Sequence, residues 1–181
     1  MLIVDEVQTG VYRSGEFLAS NYYEITPDII TLAKGLGGGV PIGAVMTNLK
    51  DIFEPGDHGS TFGGNFLSTR AALSVLDILE DEYKAGNIKK RVELFDSNLE
   101  RIATSLPNYF NYSVGLGLMR GLRCKNDKIQ QAVIKKAFEK GLILLKAGRN
   151  TVRFLPPITI SEDEIKEGFK RLELALLEVE V

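Results

Sequence analysis

The sequence predicts an α/β protein that ends in a small α+β domain. Three observations predict it. The first third strings short apolar runs between glycine-rich loops, the middle carries a long helical period, and the last third alternates strand-like and helix-like segments. Eleven of the 18 glycines fall in residues 1–65 and seven in the other 116. Backbone-specific loops, the usual carriers of site chemistry, are therefore expected in the first third.

Leu2-Ile3-Val4, closed by Asp5-Glu6, reads as a strand buried on both faces, of the parallel-sheet kind. Thr26-Pro27-Asp28 is a turn signal that introduces a second strand, Ile29 to Ala33, and Ile42 to Thr47 reads as a third. Between them, Ser14 to Tyr23 has room for one or two helical turns. Asp51-Ile52-Phe53 is expected to open a short helix before Pro55-Gly56. From Leu67 onward Ala71, Ala72, Val75, Leu76 and Leu79 recur at helical spacing, and Val92, Phe95, Leu99 and Ile102 continue it. This is a helical stretch of about 35 residues, broken or bent near Gly86 and ended by Pro107.

The last third begins with a glycine-spaced alternation from Tyr112 to Leu122, a strand or hairpin. Ile129 to Lys140 is an amphipathic helix with Ala132, Val133, Ala137 and Phe138 on one face and Gly141 as its C-terminal stop. Leu142–Leu145 and Val152–Leu155 read as two further strands joined through Gly148-Arg149-Asn150. Ser161 with Glu164 three residues on is a capping-box start for a last helix. The organisation expected is a large-domain α/β portion over 1–65, a linking helix over 66–105, and a small α+β domain over 106–181.

Composition narrows the function. Apolar residues make 44% and charged residues 25% of the 181, enough hydrophobe for a core, which excludes a disordered chain. Lys plus Arg total 22 against 24 Asp plus Glu, so no basic excess steers the chain to nucleic acid or anionic lipid. No apolar run approaches the ~20 residues of a membrane span. One cysteine, Cys124, cannot form an internal disulfide, and a reducing, cytoplasmic setting fits it. Cys124 and His58 are each alone, which leaves a zinc site or a nucleophile–base pair poorly supplied. Cys124 reads as a small buried residue.

Four segments carry the candidate chemistry. Asp5 and Gln8, in Asp5-Glu6-Val7-Gln8-Thr9-Gly10, stand where a parallel strand ends and ligands of such sheets bind; the same pattern also describes a solvated loop carboxylate. Lys34 follows the second strand directly and precedes glycines 35, 37, 38 and 39. Lysine is costly to bury, so it either reaches solvent or is used as an amine nucleophile toward a carbonyl. Val40 stands where the third glycine of a dinucleotide fingerprint belongs, and Lys34 precedes the glycines instead of following them as in a P-loop. Gly59-Ser60-Thr61-Phe62-Gly63-Gly64-Asn65 offers hydroxyls and N–H groups to a phosphate, or is a surface loop. Arg153 lies inside an apolar strand, which requires a partner: a structural carboxylate or that of a substrate.

Taken in order, D-E-V-Q-T-G, then T-P-D-I-x-T-L-A-K-G-L-G-G-G-x-P-I-G-A, then H-G-S-T-F-G-G-N, then V-R-F-L-P-P, the chain resembles the class III pyridoxal-phosphate-dependent aminotransferases of fold type I over nearly its whole length. That resemblance implies the C-terminal part of the fold type I transferase fold with pyridoxal 5'-phosphate as cofactor. It implies that Lys34 takes the cofactor aldehyde and moves the substrate proton, and that Asp5 pairs with the pyridine nitrogen. It puts Val7 on the ring face, Gln8 near the phenolic oxygen, Thr61 on the phosphate across a homodimer interface, and Arg153 on the substrate α-carboxylate. Gln8 suits the group that acts on ornithine, acetylornithine and 4-aminobutyrate. An N-acetylornithine-like donor passing nitrogen to 2-oxoglutarate, in arginine biosynthesis, is the expected reaction.

Two departures are small: Phe66 replaces the family's proline after Asn65, and Arg13-Ser14-Gly15 replaces R-T-G. A larger one is that the family has an N-terminal half ahead of D-E-V-Q, with its own phosphate turn, stacking aromatic and substrate arginine. The chain is therefore expected to be the C-terminal portion of such an enzyme, with Met1 a strand methionine. A catalytically silent fragment and a nucleotide-binding module are the competing expectations.

Overall fold

A computed structural model describes residues 1–180. The chain divides into two compact units, Met1–Gly86 and Asn87–Val181.

The first unit is built on a three-stranded sheet in the order β1 (Ile3–Asp5), β2 (Ile29–Leu32), β3 (Ala44–Thr47). β1 pairs parallel to β2, with Asp5 opposite Thr31; β3 returns antiparallel, with Ala44 opposite Leu32. The crossover from β1 to β2 holds a single helical turn, α1 (Ala19–Tyr22). A 3₁₀ turn over Lys34–Gly37 follows β2. Gly38, at φ +58°, ends that turn, and a Cβ there would stand 2.7 Å from the Val75 side chain, so the glycine segment lies directly against the helix α2 (Phe66–Lys84). β1 is not buried on both faces as its apolar run predicts. Ile3 is 54% exposed, because β1 is the edge of a small sheet whose faces are only partly covered. The expected helix at Asp51–Phe53 is absent as well; Asp51 adopts φ +57°, which no right-handed helix accommodates.

The helical period is realised as two 19-residue helices, α2 and α3 (Asn87–Ser105), separated at Gly86, where φ is +73°. The Asn65 side chain caps α2 by accepting the Ser68 N–H at 3.0 Å, and Phe66 takes the first helical position where proline is favoured.

In the second unit a four-stranded antiparallel sheet has the order β4 (Phe110–Leu116), β5 (Met119–Cys124), β7 (Thr151–Phe154), β6 (Leu145–Ala147). One face packs on α3, α4 (Asp127–Glu139) and α5 (Glu162–Leu176) around Leu99, Leu122, Val133, Val152 and Leu172. Phe95 meets the rings of Phe169 and Phe154 edge-on, at 4.9 and 5.9 Å between centroids. Each such fully buried side chain stabilises by roughly 1.5–3 kcal/mol. The hairpin, the Gly141 stop and the capping box of Ser161 and Glu164 are all present. Two details differ from the sequence reading. The strand expected over Leu142–Leu145 starts only at Leu145, since Gly141 and Leu142 bond back to Phe138 and Ala137 to close α4. Phe138 is 70% exposed: it lies one position beyond the stripe that buries Val133 and Ala137.

Leu122→Ala, which removes a fully buried side chain, is expected to cost the second unit about 2–5 kcal/mol. Phe138→Ala should change stability by less than about 0.5 kcal/mol. Urea unfolding followed by circular dichroism measures both, and equal losses would contradict the placement of Phe138.

Candidate functional site

Asp5 ends β1, and its carboxylate is held in place by its neighbours. Oδ1 accepts the Val7 N–H at 2.9 Å and the Thr31 hydroxyl at 3.0 Å. Oδ2 makes no hydrogen bond within the described residues, and Asp5 is exposed. The Val7 N–H, then the Thr31 hydroxyl, and the nearby Lys34 ammonium hold this carboxyl below its ordinary range against a small opposing effect of burial. Asp5 therefore stays anionic at neutral pH with one oxygen committed and the other turned outward.

Lys34 begins the turn beyond β2, three residues after Thr31. Its φ of +46° is uncommon for a residue with a Cβ. The preceding Ala33 is also far from helical values, at φ −164° and ψ −148°. The sequence leaves the strand, takes one strained step and enters the glycine run, which leaves Lys34 exposed beside Asp5. No ion pair within 4 Å joins the two groups; the Lys34 charge reaches Asp5 only through space.

Val7 and Gln8 lie on the turn that follows Asp5, half-buried and exposed respectively. Thr61 sits in an exposed loop in which the Ser60 hydroxyl accepts the Gly63 N–H at 2.8 Å; no hydrogen bond joins it to Asp5, Val7, Gln8 or Lys34. The structure thus brings Asp5, Val7, Gln8 and Lys34 to one end of the β1–β2 pair. Arg153 belongs to the second unit, on β7 opposite Gly121 and Leu145. Its guanidinium has no hydrogen bond or ion pair among the described residues, and its Nε is closed off from solvent.

A groove of about 350 Å³ in the second unit is lined mainly by apolar side chains such as Leu142, Phe154, Pro156 and Phe169, with Arg153 and Glu164 beside them. Neither Asp5 nor Lys34 lines it. Reactive groups matter more than volume here, and they mark the exposed strand ends. Among the described residues no cluster of three metal-ligating side chains occurs, and no helix is long and apolar enough to cross a membrane. Cys124 is buried, which pushes its thiol up to about 11 and leaves it protonated. His58 rests its ring against Phe53 at 4.5 Å.

Comparison with known proteins identifies the family. The family model for aminotransferase class-III matches residues 1–176. The chain belongs to the class-III aminotransferase family. It is 62% identical over 176 residues to the acetylornithine aminotransferase of Wolinella succinogenes, covering 97% of this chain and 45% of that protein. The crystal structure of acetylornithine aminotransferase from Elizabethkingia anophelis superposes with a TM-score of 0.89 at 33% identity, over 99% of this chain and 48% of that one. An ornithine aminotransferase structure from Toxoplasma gondii, with partial occupancy of PLP at its active site, superposes with a TM-score of 0.88 at 35% identity, over 99% of this chain and 44% of that one. The class-III chain therefore has the C-terminal part of the fold type I transferase fold, and it spans about half the length of the relatives it matches.

Glu6 is the residue that the sequence reading passed over. It is 1% exposed and binds the start of α1, 13 residues away. Only its position beside Asp5 hinted at a role, since no local spacing signals a contact that distant.

The folded Asp5 pKa lies below the unfolded one. Its contribution to stability is therefore present above the unfolded pKa and is lost as pH falls through the folded value. Thr31→Val removes one of the two donors to Oδ1 and is expected to raise the Asp5 midpoint toward the ordinary carboxylate range. Carboxyl-detected NMR titration measures it; an unmoved midpoint contradicts the assigned hydrogen bond.

Proposed function

We propose that this chain carries the catalytic lysine and ring-nitrogen carboxylate of a pyridoxal-phosphate-dependent aminotransferase, acting on an N-acetylornithine-like ω-amino donor with 2-oxoglutarate as acceptor, in arginine biosynthesis. The observation that carries the reading is the pairing of an exposed amine and an anionic carboxylate at the carboxyl ends of adjacent parallel strands. The residues fit the cofactor by their chemistry. Asp5 keeps Oδ2 free for a ring N–H, and Lys34 makes no ion pair that would tie up its amine.

Pyridoxal phosphate, when bound, would supply an aldehyde for the amine and a cationic ring that withdraws electrons from the substrate carbon bearing the reacting amino group. Asp5, by remaining anionic, keeps a proton on the ring nitrogen and so preserves that withdrawal. Lys34 would hold the cofactor through its Nζ, and the same amine would move the proton at the reacting substrate carbon. Val7 would hold the ring by apolar contact and Gln8 would offer it a hydrogen bond. Thr61 would bind the phosphate from a second copy in a homodimer, and Arg153, whose Nε makes no hydrogen bond among the described residues, would hold the α-carboxylate. The names of the similar proteins, acetylornithine aminotransferases, and Gln8 support this choice of donor. A cytoplasmic location accompanies this reading.

A second reading has an observation of its own: the chain spans only about 45% of the Wolinella relative. On that reading the chain is silent alone and becomes active with a separate N-terminal piece. The two are separated by adding cofactor to the purified chain. Visible absorbance that is lost in Lys34→Ala supports catalytic competence, colour that persists in the variant removes Lys34 from its role, and a colourless native chain supports the silent fragment.

A further inference from the structure

Glu6 takes no part in the chemistry above, yet both its side-chain oxygens are engaged. Oε1 accepts the Ser20 N–H at 2.7 Å. Oε2 accepts the Ala19 N–H at 3.1 Å and the Thr9 hydroxyl. Its backbone is tied too: the Glu6 N–H donates to the Thr31 carbonyl at 3.0 Å, and the Glu6 carbonyl accepts the Gly10 N–H at 2.9 Å. One residue therefore fastens together β2, the turn over 6–10 and the start of α1. A buried carboxylate is costly unless donors surround it. Burial pushes its pKa up, but the donors from Thr9, Ser20 and Ala19 outweigh that and hold it below its ordinary value. Glu6 thus stays ionised and has no proton to give.

The loop it fastens is strained. Val11 and Tyr12 adopt φ +55° and +64°, and both are buried. A β-branched residue in that region is an outlier that persists only where surrounding contacts fix it. At the other end of the loop the Tyr83 hydroxyl donates to Glu16 at 2.7 Å and the Tyr12 and Tyr83 rings lie 5.0 Å apart. Gly10 is equally constrained, since a Cβ there would meet the Glu6 carbonyl oxygen at 2.9 Å. Val7, whose N–H orients Asp5, sits between the strand end and this clamp.

We propose that Glu6 is a positioning residue for Asp5: by clamping the 6–20 loop it keeps the Val7 N–H on Asp5 Oδ1 and so leaves Oδ2 turned outward. The functional meaning rests on Asp5 serving the cofactor ring, but the clamp itself is measurable without cofactor. The charged group that also faces Asp5 is Lys34, which the clamp does not touch.

The test uses the 181-residue chain with Glu6→Ala and Glu6→Gln. Two readouts are followed by NMR: the titration midpoint of Asp5 and the hydrogen exchange of the Val7 amide, with Leu122 and Val133 amides as a control for the second unit. In Glu6→Ala the Asp5 midpoint is expected to rise and Val7 exchange to accelerate by about tenfold or more. Glu6→Gln, which keeps one acceptor oxygen, should restore part of both. Should Glu6→Ala lose the whole first unit, Thr9→Val removes a single donor and is expected to shift both readouts in the same direction by less. An unchanged Asp5 midpoint and Val7 exchange in a folded Glu6→Ala, or in Thr9→Val where Glu6→Ala does not fold, overturns the proposal. Failure of the cofactor reading would show instead as absorbance independent of Lys34, with these two readouts still moving.

Discussion

The parallel register that sets Asp5 opposite Thr31 is the constraint on which the candidate site depends. It places the Thr31 hydroxyl on Asp5 and, three residues further on, brings the Lys34 amine to the same strand end. A slip of one residue would turn Asp5 to the other face of the sheet and remove both relations at once. Parallel strands suit this use because their carboxyl ends lie side by side, so groups far apart in sequence share one opening. The glycine run then lets the chain turn close against α2 and leaves the lysine clear of the sheet.

The two units are held by different means. The second has a continuous apolar core beneath its sheet, with Leu99, Leu122, Val133, Val152 and Leu172 fully enclosed. The first buries fewer large side chains and exposes Ile3, Val45 and Met46 on its strands. Directed hydrogen bonds fix much of its local geometry, above all those of Asp5 and Glu6. Polar geometry of this kind sets orientation more sharply than apolar contact does. It also leaves β1 as an apolar edge with one unpaired side, a feature that invites pairing with another strand.

Local chemistry made much of this legible from the sequence. A proline-introduced strand, a Ser–Glu capping box and a glycine after a helical stripe each act over a few residues, and each appears where it was expected. The strand-end placement of Asp5 and Lys34 was legible for the same reason. What escaped depends on the backbone or on distance. The left-handed step at Asp51 overrides a helix-compatible triplet. Phe138 is apolar but falls one position off the buried stripe. Glu6 reads as a second loop carboxylate, and only the folded chain brings Ala19 and Ser20 to it. Arg153 was legible as an arginine in need of a partner; that its Nε finds none among the described residues became visible only in the fold.

The most direct measurement is to load the protein with pyridoxal phosphate, reduce with borohydride, digest, and locate the phosphopyridoxyl adduct by mass spectrometry. The account predicts a single modified peptide carrying the adduct on Lys34. An adduct spread over surface lysines, or fixed on a different one, would contradict it.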